Sequence, residues 1–382
     1  MSSVNSRLRA IFSKSVPAKT KVKPKSNVAA KSSDISAFPE ETKLLKLVNK
    51  FKKSCEDPKF RCKHSIYRRT VRRLANAKKF SMIEDVLESQ KKYDSIRVEG
   101  FANRLISLYG ESGMFEHAHK LFDEMPELNC ERTVKSFNVL LKAALDAKKF
   151  DKVVEIFKEF PLRVSVEPDL FSYNIVIHSF CEMGSFDDAL SMFHEMEGNG
   201  MEPSLITYNT LLNALYRNGK FLEGERLWTM MEGENIAPDV RTYNARLRGI
   251  FIGDAGLEAD EVISEMERKG IKPDLVSYNA LIKGFCDGGN LKEAMKWYGE
   301  LQKNNCRPDL VTFATLIPAC CNAGDLVVAY ELCLKAIDRR VLLKAAVFKN
   351  VVDGLARKVK YDEASELVKL VNSASHLNYK LE

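Results

Sequence analysis

Along residues 170–204 the apolar side chains recur at the spacing of two short helices. Tyr173, Val176, Ile177 and Phe180 fall at i, i+3, i+4 and i+7. After a turn, Phe186, Ala189, Leu190, Phe193 and Met196 mark a second apolar stripe. The pattern then returns at 205–239, 240–274 and 275–309, a period of 35 with no gap between copies. A fixed period of that size signals a solenoid, in which each copy buries its apolar face against the next. Carried in both directions, the register predicts further copies at 64–98, 99–133, a 36-residue 134–169, 310–344 and 345–379. The predicted fold class is all-α: nine helix–turn–helix copies over 64–379.

The positions between the stripes carry the punctuation. Gly113, Gly184, Gly219, Gly289 and Gly324 recur at position 15, where a left-handed residue ends a first helix. Position 20 holds Ala118, Ala189, Ala259, Ala294, Ala329 and Ala364, small enough for two helix backbones to approach closely. Position 31 holds Asn129, Gly200, Asn235, Gly270 and Asn305, which read as C-caps. Pro168, Pro203, Pro238, Pro273 and Pro308 follow and stop the helix. Upstream, Leu44, Leu45, Val48 and Phe51 predict a short amphipathic helix over 41–55 that caps the first copy, with a polar connection from there to residue 64.

Charge changes the picture only once it is located. The chain carries 59 basic and 52 acidic side chains, a net charge of +7. Eight of the basic residues, and no acidic one, lie within residues 1–33. That stretch opens with Val4, Leu8, Ile11 and Phe12 on one helical face and Arg7, Arg9 and Lys14 on others. It reads as an organellar presequence, mitochondrial rather than plastid, with a basic tail as the alternative. Residues 99–382 are mildly acidic, so strong non-specific nucleic-acid binding through the whole body is not expected. The basic surplus beyond the leader sits in residues 34–98. There Arg68, Arg69, Arg72 and Arg73, with Lys78 and Lys79, line one predicted helix. They are candidate phosphate ligands for structured RNA, or a solvated helix face.

Candidate catalytic chemistry does not assemble. Of the nine cysteines, Cys181, Cys286 and Cys321 share position 12, and Cys130 and Cys306 share position 32. They read as apolar fillers rather than ligands. His117 and His119 stand two apart on a helix and so diverge, and no cysteine pair completes a metal site. No cofactor and no metal is implied. No apolar run is long enough to span a membrane. The copies leave no expected room for a catalytic domain, and the reading is a binder, not an enzyme.

The run L-x-x-Y-N-x-L-I…G…A…M…G-I-K-P-D at 35-residue period, clearest over 134–309, resembles the pentatricopeptide repeat family. The plain 35-residue length is similar to the P class of plant organellar proteins, including short mitochondrial members that sit in ribosomes. The resemblance implies a right-handed superhelical α-solenoid that binds single-stranded RNA, one base per repeat. It also implies that residue 5 and the last residue of each repeat read the base. Those pairs are Asn103 with Thr133, Asn138 with Asp169, Asn174 with Ser204, Asn209 with Asp239, Asn244 with Asp274, and Asn279 with Asp309. The family's code then gives pyrimidine–U–C–U–U–U. Position 2 would sandwich the base, with Phe171, Ile206, Arg241, Val276 and Val311 there. Arg241 departs from an apolar pattern but stacks through its guanidinium plane. Arg68 with Val98, and Ala314 with Lys344, do not fit the code.

Three functions follow as expectations. The first is an RNA-binding factor of the mitochondrial matrix that works with ribosomal RNA and proteins of the small ribosomal subunit. The second is a transcript-specific factor that shields or processes one U-rich messenger RNA. The third is a protein-only scaffold. Outside a complex the chain is expected to be monomeric.

Overall fold

The computed structural model describes residues 39–164, 166–252 and 259–381. The expected presequence, residues 1–33, lies outside the described residues. Among the described residues every regular element is helical. A leading helix α1 (Pro39–Ser54) and a single turn α2 (Pro58–Arg61) precede the pairs. The first three pairs are α3 (His64–Asn76) with α4 (Phe80–Glu88), α5 (Glu99–Glu111) with α6 (Phe115–Glu124), and α7 (Val134–Asp146) with α8 (Phe150–Val164). Next come α9 (Leu170–Met183) with α10 (Phe186–Gly198), α11 (Leu205–Arg217) with α12 (Phe221–Gly233), and α13 (Val240–Ile252) with α14 (Ala259–Arg268). Last are α15 (Leu275–Asp287) with α16 (Leu291–Lys303), α17 (Leu310–Asn322) with α18 (Leu326–Asp338), and α19 (Ala345–Arg357) with α20 (Tyr361–Ser373).

The described residues form two compact units. One reaches to Leu215 and includes Glu223–Ala237; the other comprises Tyr216–Leu222 and the chain from Pro238 on. In the first, α5, α7 and α9 lie side by side; in the second, α13, α15, α17 and α19 do. First helices therefore stack on first helices.

The stripes do what their spacing demands. Tyr173, Val176, Ile177 and Phe180 are buried, as are Phe186, Ala189, Phe193 and Met196. Every alanine at position 20 is buried at the crossing of its pair, and Gly224 takes that position in α12. Where position 4 is tyrosine, its buried ring carries a polar tip that can tie the first helix to the end of the second. The Tyr208 hydroxyl donates to Glu234 at 2.8 Å and that of Tyr243 to Glu265 at 2.9 Å. Glycines set the closest approach between first helices. A Cβ on Gly284 would lie 2.1 Å from the Phe251 ring, and one on Gly249 would lie 2.4 Å from Tyr216.

The turns carry the left-handed residues. Gly113, Gly184, Gly219, Gly289 and Gly324 have φ between +72° and +78°. Lys78, Lys148 and Val359 take the same position with φ of 55°, 57° and 62°. Asn129, Gly200, Asn235, Gly270 and Asn305 are left-handed too, joined by Arg340.

Three local expectations change. Leu45 faces solvent, while Leu44, Val48 and Phe51 are buried, because α1 presents a narrower face than its four apolar residues predict. The polar connection contains α2, capped by Asp57, which accepts from the Lys59 amide at 2.9 Å; Phe60 then meets Phe51 edge-on at 5.5 Å. Cys62 is exposed, whereas burial pushes the Cys286 thiol up to about 11 and that of Cys320 to about 12. All nine cysteines are free.

Candidate nucleic-acid interface

The last residue of a copy is the N-cap of the next first helix. Asp169, Asp274 and Asp309 each form a capping box with a hydroxyl residue three positions on. Asp239 does the same work, accepting from the amide of Thr242 at 2.9 Å and from its hydroxyl at 2.9 Å. The same carboxylate oxygen reaches back to the asparagine at position 5. Asn138 donates to Asp169 at 2.9 Å, Asn244 to Asp274 at 3.2 Å, and Asn279 to Asp309 at 3.1 Å.

The other end of each of these amides is held as well. Ser172, Ser277 and Thr312 donate to the carbonyl oxygens of Asn138, Asn244 and Asn279 at 2.5, 2.6 and 2.7 Å. These three asparagines are buried, so their amide planes are fixed from both ends. Each still keeps one N–H and one lone pair outside these bonds. The carboxylates are tuned by the same contacts. Burial would raise the Asp309 carboxyl, but hydrogen bonds from Thr312 and Asn279 outweigh it and hold it below the ordinary carboxylate range. The serine and threonine partners escaped the sequence reading. Their signal was the hydroxyl at position 3 of every copy from 134 on except the last, three residues after a capping residue.

In two of the expected pairs, Asn103 with Thr133 and Asn174 with Ser204, no hydrogen bond joins the two residues. The Thr133 hydroxyl donates to Glu99 at 2.7 Å, and Glu99 also accepts from the amides of Thr133 and Ser136. Burial would raise the Glu99 carboxyl, yet these bonds depress it. Ser204 is likewise engaged with Thr207, at 3.2 Å between hydroxyls. The amide oxygens of Asn103 and Asn174 are buried without a hydrogen-bond partner. An orphan acceptor of this kind costs about 1–3 kcal/mol until a donor reaches it. Asn209 is half-buried on α11.

Position 2 points outward. Phe171 is 55% and Ile206 68% exposed in one unit; Val276 and Val311 are each 49% exposed in the other, where Arg241 is exposed as well. Apolar side chains repeated on an outer face serve a partner rather than the core. Between Val276 and Val311 lies a pocket of about 420 Å³, within the range of small-ligand sites. Asn279 lines it together with Phe251, Ala280 and Gly284; Arg217 and Arg248 bring positive charge, while Lys283 is paired with Asp287 of the same wall at 2.6 Å. Burial and the neighbouring Arg217 charge both lower the Arg248 guanidinium from its ordinary value.

The basic helix divides. Arg68 forms a two-toothed ion pair with Glu111, its Nε at 3.1 and 2.9 Å from the carboxylate oxygens, and Lys79 pairs with Glu41 at 2.6 Å. Those two charges are already matched within the protein. Arg69, Arg72, Arg73 and Lys78 are exposed, with no ion pair to a described residue.

Residues 101–146, 168–217, 203–251, 255–287 and 273–322 match the family model of the PPR repeat family. The matches cover more than half of the sequence, and the chain belongs to that family. Over 150 residues it is 57% identical to a pentatricopeptide repeat-containing protein of Arabidopsis thaliana, covering 39% of this chain and 27% of that one. Over 173 residues it is 50% identical to the small ribosomal subunit protein mS79 of the same plant, 43% of this chain and 44% of that one. The small ribosomal subunit protein mS78 is 49% identical over 156 residues, 41% and 39% of the two chains. The aligned stretches thus span less than half the length of these curated relatives. Among solved structures, maize PPR10 superposes with a TM-score of 0.52 at 19% identity, over 86% of this chain and 56% of that one. That similarity is one of fold. No described helix is long and apolar enough to cross a membrane.

Proposed function

We propose that the protein binds single-stranded RNA in the mitochondrion and acts with the small subunit of the mitochondrial ribosome. The observation that carries the RNA part is the pocket in which Val276 and Val311 flank Asn279, whose amide is held by Asp309 and Thr312. A planar base inserted there stacks between two aliphatic side chains and meets one free N–H and one free lone pair, the complement of a uracil edge. The ribosomal part rests on the names of the relatives, small ribosomal subunit proteins mS79 and mS78. In this reading residues 1–33 are the presequence, 34–63 the linker and cap, and 64–379 the RNA-reading array. The protein binds and does not catalyse.

Sedimentation of the tagged protein from mitochondrial extracts, followed by crosslinking and sequencing of bound RNA, tests both parts. Co-migration with the small subunit and crosslinks to its ribosomal RNA are expected. Absence from ribosomal fractions overturns the ribosomal part. A single sharp U-rich footprint on one messenger RNA in ribosome-free fractions replaces it with the transcript-specific role.

A further inference from the structure

Position 10 of the first helix is where the preceding pair packs, and from the third pair on it is small: Ala143, Ser179, Ala214, Gly249, Gly284, Ala319 and Gly354. In α3 that position is Arg73. A guanidinium there means that no preceding helix is seated on this surface. Helix α1 touches α3 near the first turn of α3, where Phe51 meets Tyr67 edge-on at 4.8 Å, and otherwise leans on α4, held by Lys52 with Asp85 at 2.5 Å and Lys79 with Glu41. A cleft of about 320 Å³ is left between α1 and α3. Its apolar wall is Leu47, Phe51, Phe60 and Ile66; its charged rim is Lys50, Arg69 and Arg73. The hydroxyl residues Ser54 and Thr70 also line it. None of the three cations has an ion-pair partner among the described residues.

We propose that this cleft holds one phosphate-bearing nucleotide of RNA without selecting its base. The two guanidiniums present planar forks that suit phosphate oxygens, and Lys50 adds a third positive charge. The half-buried Phe60 ring and Ile66 offer a face on which any base stacks, because every base has a π-face. The cleft lines no side-chain amide, so nothing in it reads a base edge as Asn279 does. An acidic peptide would satisfy the charge as well. RNA is favoured because Arg69 and Arg73 lie on a first helix, the same element type that carries positions 2 and 5, and because Arg72 and Lys78 extend the charge along it. The inference rests on the RNA-binding reading above and adds an anchoring site outside the base-reading row.

Isothermal titration of the full chain at low salt with UMP, AMP, uridine and inorganic phosphate tests it. UMP and AMP are expected to bind within about threefold of each other and at least tenfold tighter than uridine or phosphate alone. Arg69→Gln with Arg73→Gln should weaken both nucleotides at least tenfold while the far-ultraviolet circular dichroism is unchanged, and Phe60→Ala should weaken them without changing phosphate binding. Equal binding to wild type and the double variant overturns the proposal. So does phosphate binding as tightly as the nucleotides, or an Asp/Glu–Leu peptide outcompeting them, which reassigns the cleft to a protein partner. Should the double variant unfold, charge-conserving Arg69→Lys with Arg73→Lys gives the second comparison, and unchanged affinity there together with unchanged affinity in Phe60→Ala overturns the site. Asn279→Ala removes base reading in the Val276–Val311 pocket, so in that background AMP binding at the cleft should be unchanged and still be weakened by the double variant; failure of either site is thereby told from failure of the other.

Discussion

Two tasks meet in the Asp309 carboxylate: it caps α17, and it orients the amide of Asn279. Its charge has a measurable consequence. The unfolded carboxyl titrates near its ordinary value of about 3.9 and the folded one lower. Ionisation therefore adds stability above the unfolded value, and that stability is lost as pH falls through the folded one. Asp309→Asn keeps a capping oxygen and removes the charge. Wild type should be more stable than the variant in urea at pH 7, with the gap closing below about pH 4; a gap unchanged at pH 2.5 contradicts the assignment. Glycines at this scale have opposite signs. Gly284→Ala should cost about 1–3 kcal/mol, because a Cβ 2.1 Å from the Phe251 ring forces the ring or the helix to shift. Gly299→Ala, inside α16 with open space around it, should add up to about 1 kcal/mol. Equal effects in a denaturation series would remove the packing argument. The asparagine and aspartate columns were legible because they recur in register. The serine and threonine that hold the amide were not, since a hydroxyl at a helix start is ordinary capping chemistry until distances show a second partner.

At the scale of elements, a left-handed residue ends the first helix of every pair whose turn is described, and it reverses the chain into the second helix. Where the residue is glycine the conformation costs nothing sterically. Val359 adopts φ of 62° with a β-branched side chain that is largely exposed. Val359→Gly should thus stabilise the final pair by about 1–2 kcal/mol, read as slower amide exchange in α19 and α20. Unchanged or faster exchange there contradicts the strain. Helix positions were readable because a 3.6-residue apolar period repeated at a 35-residue spacing leaves little ambiguity. Leu45 and α2 were not, for a different reason. A single unrepeated segment has no second copy to show which apolar residues face inward, and one helical turn carries too few residues for a period to emerge.

Across the whole molecule, charge is segregated rather than spread. The sequence is mildly acidic from residue 99 on, whereas Arg69 and Arg73 of α3, exposed and without an ion pair to a described residue, line the cleft beside α1. Net charge alone hides this, because ion pairs such as Arg68 with Glu111 consume part of the basic run, and only coordinates show which part. In the proposed function Asn279, braced by Asp309 and Thr312 between Val276 and Val311, reads a uracil. Fluorescence anisotropy of the full chain with pyrimidine–U–C–U–U–U RNA, and with the last uridine changed to adenosine, tests it directly. Wild type should lose roughly fivefold to a hundredfold in affinity on that change, as the loss of about 1–3 kcal/mol for unpaired buried polar groups requires. Asn279→Ala should bind the two RNAs equally, at or below the weaker affinity. Undiminished discrimination in Asn279→Ala, or no discrimination in wild type, would contradict the claim.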